Sequence, residues 1–171
     1  MTEDGTAACV AQGGTARDQP CSFDATTRLD TCSAGTACSN ATLPTGMAVC
    51  RKLCGGDGDC GPGQRCHPIS SWGQCLPTCV AFGTQCPGGM TCGGLTADTE
   101  HTDAGAALFL TCRALGTGKT GDGCTRSSDC GADAICATRM GMAFCTPLCD
   151  GSHPCTAPAQ CAPVDGIAVC Q

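Results

Sequence analysis

Large side chains that could build a hydrophobic core are scarce in this chain. Its 171 residues include no tyrosine, one tryptophan and four phenylalanines, whereas 21 residues are cysteine. Without the cysteines, the apolar share drops from 42% to roughly 30%, much of it alanine. No sizeable aliphatic core can form from so little, and we expect disulfides to replace it. So many disulfides require an oxidising compartment, which predicts an extracellular or cell-surface protein.

Basic clusters and long apolar runs are also missing. The net charge is −6 at pH 7 and the basic residues are scattered, which argues against nucleic acid and anionic lipid as partners. No run of about 18 apolar residues exists, so we expect no transmembrane segment. Met1–Asp4 is acidic and no apolar stretch follows it, so we expect any export signal to lie outside this sequence.

Signatures of metal, cofactor and catalytic sites are absent or incomplete. The chain has no Cys-x-x-Cys, which zinc knuckles, thioredoxin-like sites and covalent haem require. Ser70 and Ser71 lie near His67 without a third catalytic group, so we expect no enzyme. Asp57-Gly58-Asp59 does not match the EF-hand calcium loop and is interpreted as a solvated turn. We therefore expect no metal and no cofactor.

Twenty of the 21 cysteines fall into five modules of four. In every module five residues separate the second cysteine from the third, and the middle one is Gly, Asp or Pro, as a turn requires. A three-residue step between cysteines recurs at 50/54, 75/79 and 145/149, and such regularity is typical of a repeat array. The modules are Cys21, Cys32, Cys38, Cys50; Cys54, Cys60, Cys66, Cys75; Cys79, Cys86, Cys92, Cys112; Cys124, Cys130, Cys136, Cys145; and Cys149, Cys155, Cys161, Cys170.

This spacing predicts the organisation of the chain. An N-terminal strand with its linker (1–20) precedes modules 1 to 3, and a Gly-rich linker (113–123) precedes modules 4 and 5. The module bounds are 21–50, 54–75, 79–112, 124–145 and 149–170, and module 3 carries a long loop. We predict a small disulfide-rich, mainly β fold with little helix and no large hydrophobic core. It is a linear array of short β-hairpins in two groups, 21–112 and 124–170, in which each module contacts only its neighbours.

Module 5 shows the unit most clearly, because its second half predicts a hairpin. Asp165-Gly166 suits a two-residue type I′ turn, in which both residues take a positive φ. The register then pairs Val164 with Ile167, Pro163 with Ala168, Ala162 with Val169, and Cys161 with Cys170. Four cysteines allow three connectivities. We favour first to third and second to fourth, because interlaced loops tie the preceding turn onto the hairpin. A direct bond between Cys161 and Cys170 is one alternative.

Cys9 is left over, at the end of a segment that looks like a closing strand. Modules 1, 4 and 5 close with Gly-x-Ala-x-Cys, and residues 4–9 have the same pattern. Eleven residues separate Cys9 from Cys21, as many as separate module 3 from module 4. Three interpretations are open: an upstream module has been removed, another chain supplies the missing pairing surface, or Cys9 pairs within module 1 in a shifted arrangement.

The second interpretation makes the N-terminal strand an intersubunit contact. Cys9 is then an unpaired or intersubunit cysteine, and Gly5, Ala7 and Val10 are contact candidates. A head-to-tail disulfide would use two cysteines per subunit and still leave an odd number. We therefore expect any polymer contact to be mainly non-covalent.

Two other residues are singled out by their type. Trp72 lies at a predicted hairpin tip, where its ring either covers the sulfurs of Cys66 and Cys75 or anchors a partner. Asn40-Ala41-Thr42 matches the glycosylation acceptor pattern, which is usable only if the producing cell has the machinery.

Two strings carry a resemblance to known proteins: GDGCTRSSDCGADAICATRMGMAFCTPLC and CGGDGDCGPGQRCHPISSWGQCLPTC. They resemble the cysteine-rich repeats of secreted and surface proteins of myxobacteria. More distantly, they are similar to the N-terminal cysteine-rich module of Dickkopf proteins and to nematode EB modules. The resemblance covers nearly the whole chain but lies in cysteine, glycine and aspartate positions. It implies an extracellular, non-catalytic architecture and names no ligand.

The sequence thus favours a structural or interaction protein. Our first hypothesis is a subunit of an extracellular fibre or surface layer that self-associates head to tail, with strand 4–10 docking on a neighbouring subunit. The alternative is a monomeric secreted binding module, such as an adhesion domain or a protease inhibitor. The only long loop that could serve an inhibitor runs from Leu95 to Gly105.

Overall fold

The computed structural model describes residues 13–27, 29–40, 42–43, 47–68, 72–94, 109–164 and 166–171. In these residues it contains twelve short β-strands and two single-turn 3₁₀ helices, Asp57–Asp59 and Ser127–Asp129. The predicted disulfide-rich, mainly β class is therefore confirmed. The chain forms two compact units, Met1–Pro77 and Thr78–Gln171.

The first unit holds the strands β1 (Phe23–Asp24), β2 (Leu29–Asp30), β3 (Thr36–Ser39), β4 (Val49–Cys54), β5 (Gln64–Pro68) and β6 (Gly73–Pro77). The second unit holds β7 (Met90–Gly94), β8 (Leu110–Ala114), β9 (Ala134–Arg139), β10 (Met142–Pro147), β11 (Cys161–Val164) and β12 (Ile167–Cys170). All neighbouring strands pair antiparallel, as short local connections favour.

Every module contains the same crossed pair of disulfides. Its third and fourth cysteines face each other across a hairpin, yet each is bonded to an earlier cysteine. The facing pairs are Cys38↔Cys50, Cys66↔Cys75, Cys92↔Cys112, Cys136↔Cys145 and Cys161↔Cys170. The bonds are Cys21–Cys38, Cys32–Cys50, Cys54–Cys66, Cys60–Cys75, Cys79–Cys92, Cys86–Cys112, Cys124–Cys136, Cys130–Cys145, Cys149–Cys161 and Cys155–Cys170.

The favoured connectivity, first to third and second to fourth, is thus present in all five modules, and Cys161 and Cys170 are not bonded to each other. Because these bonds use every cysteine from Cys21 to Cys170, none is left to pair with Cys9 in the same chain. The interpretation in which Cys9 pairs within module 1 is therefore wrong. Cys9 itself lies outside the described residues.

The hairpin register predicted for module 5 is confirmed, from Cys161↔Cys170 to Val164↔Ile167. Gly166 has a φ of 86°, as the second residue of a type I′ turn requires, whereas Asp165 lies outside the described residues. The β9–β10 hairpin has a turn of the same length. Its two residues, Met140 and Gly141, have φ values of 52° and 79°.

A second turn, between the second and third cysteines, also has a fixed conformation. The middle residues Gly35, Gly63, Gly89 and Asp133 have φ values of 75°, 69°, 79° and 52°, and module 5 has the cis peptide Ala157–Pro158 instead. The carbonyl of Gly35 accepts the N–H of Leu53 at 2.9 Å, and that of Asp133 accepts the N–H of Leu148 at 2.7 Å. Each donor directly precedes the first cysteine of the next module, so this turn positions the chain that leaves the module.

In the first unit, a single strand joins two modules. β4 pairs with β3 through Cys38↔Cys50 and with β6 through Leu53↔Gln74 and Cys54↔Gly73. The sheet order is β3-β4-β6-β5, and β1 and β2 form a separate two-stranded sheet. The three-residue step between Cys50 and Cys54 is therefore extended backbone within one strand.

The segments that precede modules 1 and 4 make equivalent hydrogen bonds. The N–H of Thr15 donates to the carbonyl of Thr31 at 2.8 Å, and the N–H of Gly118 donates to the carbonyl of Asp129 at 2.9 Å. Both acceptors directly precede the second cysteine of their module. Each donor residue also forms a parallel bridge to that cysteine, Thr15↔Cys32 and Gly118↔Cys130.

The equivalence continues to the end of both segments. The N–H of Asp18 donates to the carbonyl of Cys50 at 2.8 Å, and the N–H of Gly121 donates to the carbonyl of Cys145 at 2.9 Å. Both acceptors are the fourth cysteine of their module. Asp18 and Gly121 both have a positive φ, 61° and 86°. Residues 113–123, predicted as a Gly-rich linker, are therefore hydrogen-bonded to module 4.

Arg113 fixes module 3 to module 4. Its guanidinium, in a side chain only 2% exposed, donates to the carbonyls of Ala114, Cys130 and Gly131 at 2.8–3.0 Å, and to that of Ala134. Burial lowers the pKa of Arg113 to about 10, so the side chain stays charged at neutral pH. Modules 3, 4 and 5 belong to one compact unit, and the predicted grouping of 21–112 apart from 124–170 is therefore wrong.

The second unit has a small apolar core shared by its three modules. Ile135, Leu148, Ile167 and Val169 are buried together, and Phe82 and Leu110 of module 3 pack against them. The ring of Phe82 stacks on His153 of module 5, with centroids 3.7 Å apart and planes 11° from parallel. Modules 3 and 5 are thus in contact, and the expectation that each module contacts only its neighbours is wrong for this unit.

We predict that Arg113→Met destabilises the second unit. Several buried carbonyls would lose their donor, and an unsatisfied buried acceptor costs about 1–3 kcal/mol of unfolding free energy. Guanidinium chloride unfolding under non-reducing conditions measures the loss. Hydrogen exchange should also accelerate at the amide of Gly116, which donates to Cys130, and at the amide of Gly131, which donates to Gly118. The control is Lys119→Met, at an exposed position of the same unit, and equal losses in the two variants would contradict this role.

We also predict that Gly116→Ala destabilises module 4, whereas Gly123→Ala does not. A β-carbon on Gly116 would lie 2.3 Å from the carbonyl carbon of Asp129, whereas one on Gly123 would meet no atom within 4 Å. Overpacking of this kind costs about 1–3 kcal/mol. Thermal unfolding of the non-reduced proteins compares the two variants, and equal melting temperatures would show that the segment is loosely held.

Candidate functional site

The candidates for the intersubunit strand, Gly5, Ala7, Cys9 and Val10, lie outside the described residues. The loop from Leu95 to Gly105, the candidate for an inhibitor, also lies outside them. Their expected roles therefore stay predictions.

Trp72 is half-buried and directly precedes β6. A β-carbon on the next residue, Gly73, would lie 2.6 Å from the Sγ of Cys66, so the strand passes very close to that disulfide. Half-burial fits either interpretation of Trp72, as a cover of the disulfides or as a partner anchor, and both stay predictions.

The two disulfides of each module are packed side by side. Three sulfur atoms from each module lie within 4.8 Å of one another, for example those of Cys124, Cys130 and Cys145. Such a cluster has the dimensions of a metal site, but zinc binds the thiolate form of cysteine. In the disulfide form these sulfurs carry no thiolate charge and form the centre of each module.

The carboxylates of Asp57 and Asp59 stabilise a turn in module 2. Asp57 accepts the N–H of Cys66 at 2.8 Å and pairs with Arg65, and Asp59 accepts the N–H of Gly55 at 2.7 Å. The backbone N–H of Cys66 and the Arg65 guanidinium lower the pKa of Asp57 below its ordinary value. The residues are exposed, and their oxygens serve as hydrogen-bond acceptors within the turn.

Module 4 uses the same arrangement with one substitution. Asp129 accepts the N–H groups of Thr125 and Arg126 at 2.8 and 3.1 Å, which lowers its pKa. The Oγ of Ser127 takes the place of Asp57 and accepts the N–H of Cys136 at 3.1 Å. The short acidic motifs are therefore parts of the repeated turn.

The second unit contains a cleft of about 460 Å³ between modules 4 and 5. This volume lies within the range of ligand-binding clefts, roughly 300–1,000 Å³. Its apolar lining includes Ala137, Phe144, Pro147, Val164 and Val169. The polar residues around it include Thr138, Arg139, Thr146 and Gln171, and the described lining residues include no acidic side chain.

The alternation of β9 and β10 creates this cleft. Cys136 and Cys145 point to the disulfide side of the hairpin. Ala137 follows Cys136 and Phe144 precedes Cys145, so both of these side chains point to the other side. On that side Ile135 is covered by Ile167 and Val169, but Ala137 and Phe144 remain half-buried. The cleft is thus the part of this apolar hairpin face that module 5 leaves uncovered.

Arg139 lies at the rim of the cleft, and its side chain is exposed. The other described arginines each bind a carboxylate or carbonyl group: Arg17, Arg51, Arg65, Arg113 and Arg126. Among the described residues, Arg139 has no ion-pair or hydrogen-bond partner for its guanidinium. An anionic group that entered the cleft would supply one.

Comparison with known proteins gives no match, whether with family models, with curated proteins or with solved structures. The function is therefore argued from the structure itself.

The cleft was not predicted from the sequence. The Gly-x-Ala-x-Cys pattern does place Met142 and Phe144 on one face of a strand, because they lie two residues apart. Nothing in the pattern indicates that module 5 covers only part of that face.

We predict that acid destabilises the acidic turns. A carboxyl group whose folded pKa is lowered stabilises the fold above its unfolded pKa, and this stabilisation is lost as the pH falls through the folded pKa. For Asp57 the unfolded reference is 3.8, so the melting temperature should fall between about pH 5 and pH 2. Asp57→Asn should lower the melting temperature at neutral pH and flatten the pH dependence. An unchanged pH profile in this variant would contradict the role of Asp57.

Proposed function

We propose that this protein is a non-catalytic, extracellular structural protein that self-associates into a fibre or surface layer. Residues 4–10 of one copy dock on a neighbouring copy. The supporting observation is that modules 1 and 4 bind the segment that precedes them in the same way. Residues 13–20 and 116–123 bind modules 1 and 4 through equivalent backbone hydrogen bonds.

In the second unit, the segment 116–123 continues from β8, the closing strand of module 3. In the first unit, the equivalent segment follows residues 4–9, which have the closing-strand pattern. A strand can pair with an exposed sheet edge of a second copy.

The disulfides and the apolar surface also fit this function. Ten disulfides indicate an oxidising environment. Among the described residues, no helix is long and apolar enough to cross a membrane. In the second unit, Val80, Leu115, Met140 and Met142 are large apolar side chains that are more than half exposed. The resemblance to secreted cysteine-rich repeats supports the same location outside the cell.

A monomeric binding module is the second candidate, and the cleft between modules 4 and 5 favours it. The two candidates differ in assembly state. A polymer requires contacts between copies that do not close into a ring, whereas a binding module needs only a vacant cleft and a foreign ligand.

We predict that the native, non-reduced protein forms filaments or sheets visible by negative-stain electron microscopy, and that removal of residues 1–12 abolishes them. The truncation stops at residue 12 because residues 13–20 are bound to module 1. Intact mass under non-reducing conditions verifies that all ten disulfides remain in the truncated protein. A monodisperse monomer from the full chain would overturn the fibre hypothesis and favour the binding module.

A further inference from the structure

The cleft between modules 4 and 5 lies beside β12. The packing of β12 shows which side chains the face of the β9–β10 hairpin binds. In β12, Ile167 and Val169 point inward and are 6% and 0% exposed. They pack on Ile135 of β9. Both residues occupy the variable positions of the pattern Gly-x-Ala-x-Cys. The face of the β9–β10 hairpin therefore binds a closing strand through the variable positions of that strand.

A second segment of the chain has the same pattern with smaller variable residues. In Gly5-Thr6-Ala7-Ala8-Cys9, the residues that correspond to Ile167 and Val169 are Thr6 and Ala8. Small side chains allow a strand to lie close to an apolar floor, here Phe144 and Val164. The pattern and the size of this segment thus suit the part of the face that β12 leaves uncovered.

Charge complementarity favours the same occupant. Arg139 at the rim has no partner among the described residues, and none of the described residues that line the cleft is acidic. Glu3 and Asp4 directly precede the strand pattern. Opposite charges at the rim of an interface guide the approach of the partner and fix its direction.

We propose that the cleft between modules 4 and 5 is the docking site for residues 3–10 of a second copy of this chain. Thr6 and Ala8 lie on the floor formed by Phe144 and Val164, and Glu3 or Asp4 pairs with Arg139. The inference rests on the proposed self-association and specifies both of its surfaces. The contact joins two different surfaces, so it extends into a filament unless the rotation closes a ring.

The contact is non-covalent. The sulfurs that border the cleft, those of Cys145 and Cys170, are already bonded to Cys130 and Cys155. Because the ion pair lies at an exposed rim, added salt weakens the contact, whereas the apolar floor is insensitive to salt.

Photo-crosslinking tests the docking directly. Benzoylphenylalanine is placed at position 138, an exposed threonine of the cleft, and this full-length protein is mixed with an equal amount of ¹⁵N-labelled wild type. After irradiation, reduction and trypsin digestion, we expect the cleft peptide to be linked to the labelled peptide that ends at Arg17. The control places the same probe at position 117, an exposed threonine outside the cleft.

Charge reversal tests the pairing in the same assay. We expect Arg139→Glu to lower the yield of the labelled cross-link by about tenfold at low salt. Arg126→Glu makes the same change on the Ser127–Asp129 turn and should have little effect. Glu3→Lys with Asp4→Lys in the labelled copy should restore the yield with Arg139→Glu.

Three outcomes would overturn the docking site. They are cross-links confined to the unlabelled chain, cross-links to another segment such as residues 95–108, and equal yields from positions 138 and 117. Electron microscopy of the same samples separates this result from the proposed function. Filaments without the expected cross-link overturn the cleft assignment alone, whereas monomers overturn self-association as well.

Discussion

The fold depends on the crossed disulfides that each hairpin makes with the chain before it. The third and fourth cysteines face each other, and their partners come from the preceding turn at Cα distances of 5.3–5.9 Å. A shift of the register by one residue would turn both sulfurs to the opposite face and break both bonds. The bonds and the register therefore determine each other. This mutual dependence lets modules of 22 to 34 residues fold around four sulfurs instead of an aliphatic core.

The connections between modules follow from the same geometry. A left-handed residue in the turn, such as Gly35 or Asp133, directs its carbonyl toward the residue that precedes the next module. Where that step is short, the chain runs directly into the next module, and in β4 the strand itself continues across the step. Where it is long, the intervening segment returns to the following module and completes it. The chain thus has two ways to join modules.

The sequence predicts what is local and misses what is distant. The register and connectivity of module 5 follow from Asp165-Gly166 and the cysteine spacing, because every determinant lies within a few residues. The stacking of Phe82 on His153 and the cleft beside Phe144 depend on segments far apart in sequence. Gly116 shows why composition alone misleads. Its glycine is required because the backbone passes against the carbonyl of Asp129, whereas a Gly-rich stretch is typically read as flexible.

The residues at the tip of the β9–β10 hairpin are not those that would stabilise its turn best. A type I′ turn favours Asn or Gly at its first position, yet Met140 stands there with a φ of 52° and is 91% exposed. Met142, also exposed, adjoins Phe144 on the face that forms the cleft. Flexible methionine side chains in water gain little for the monomer, but they can adapt to an apolar partner surface. Arg139, whose guanidinium has no partner among the described residues, directly precedes Met140, so exposed apolar and charged side chains come together at this end of module 4. Under the proposed self-association, contact with a second copy would explain this surface, and an array of identical copies would supply that contact at high local concentration.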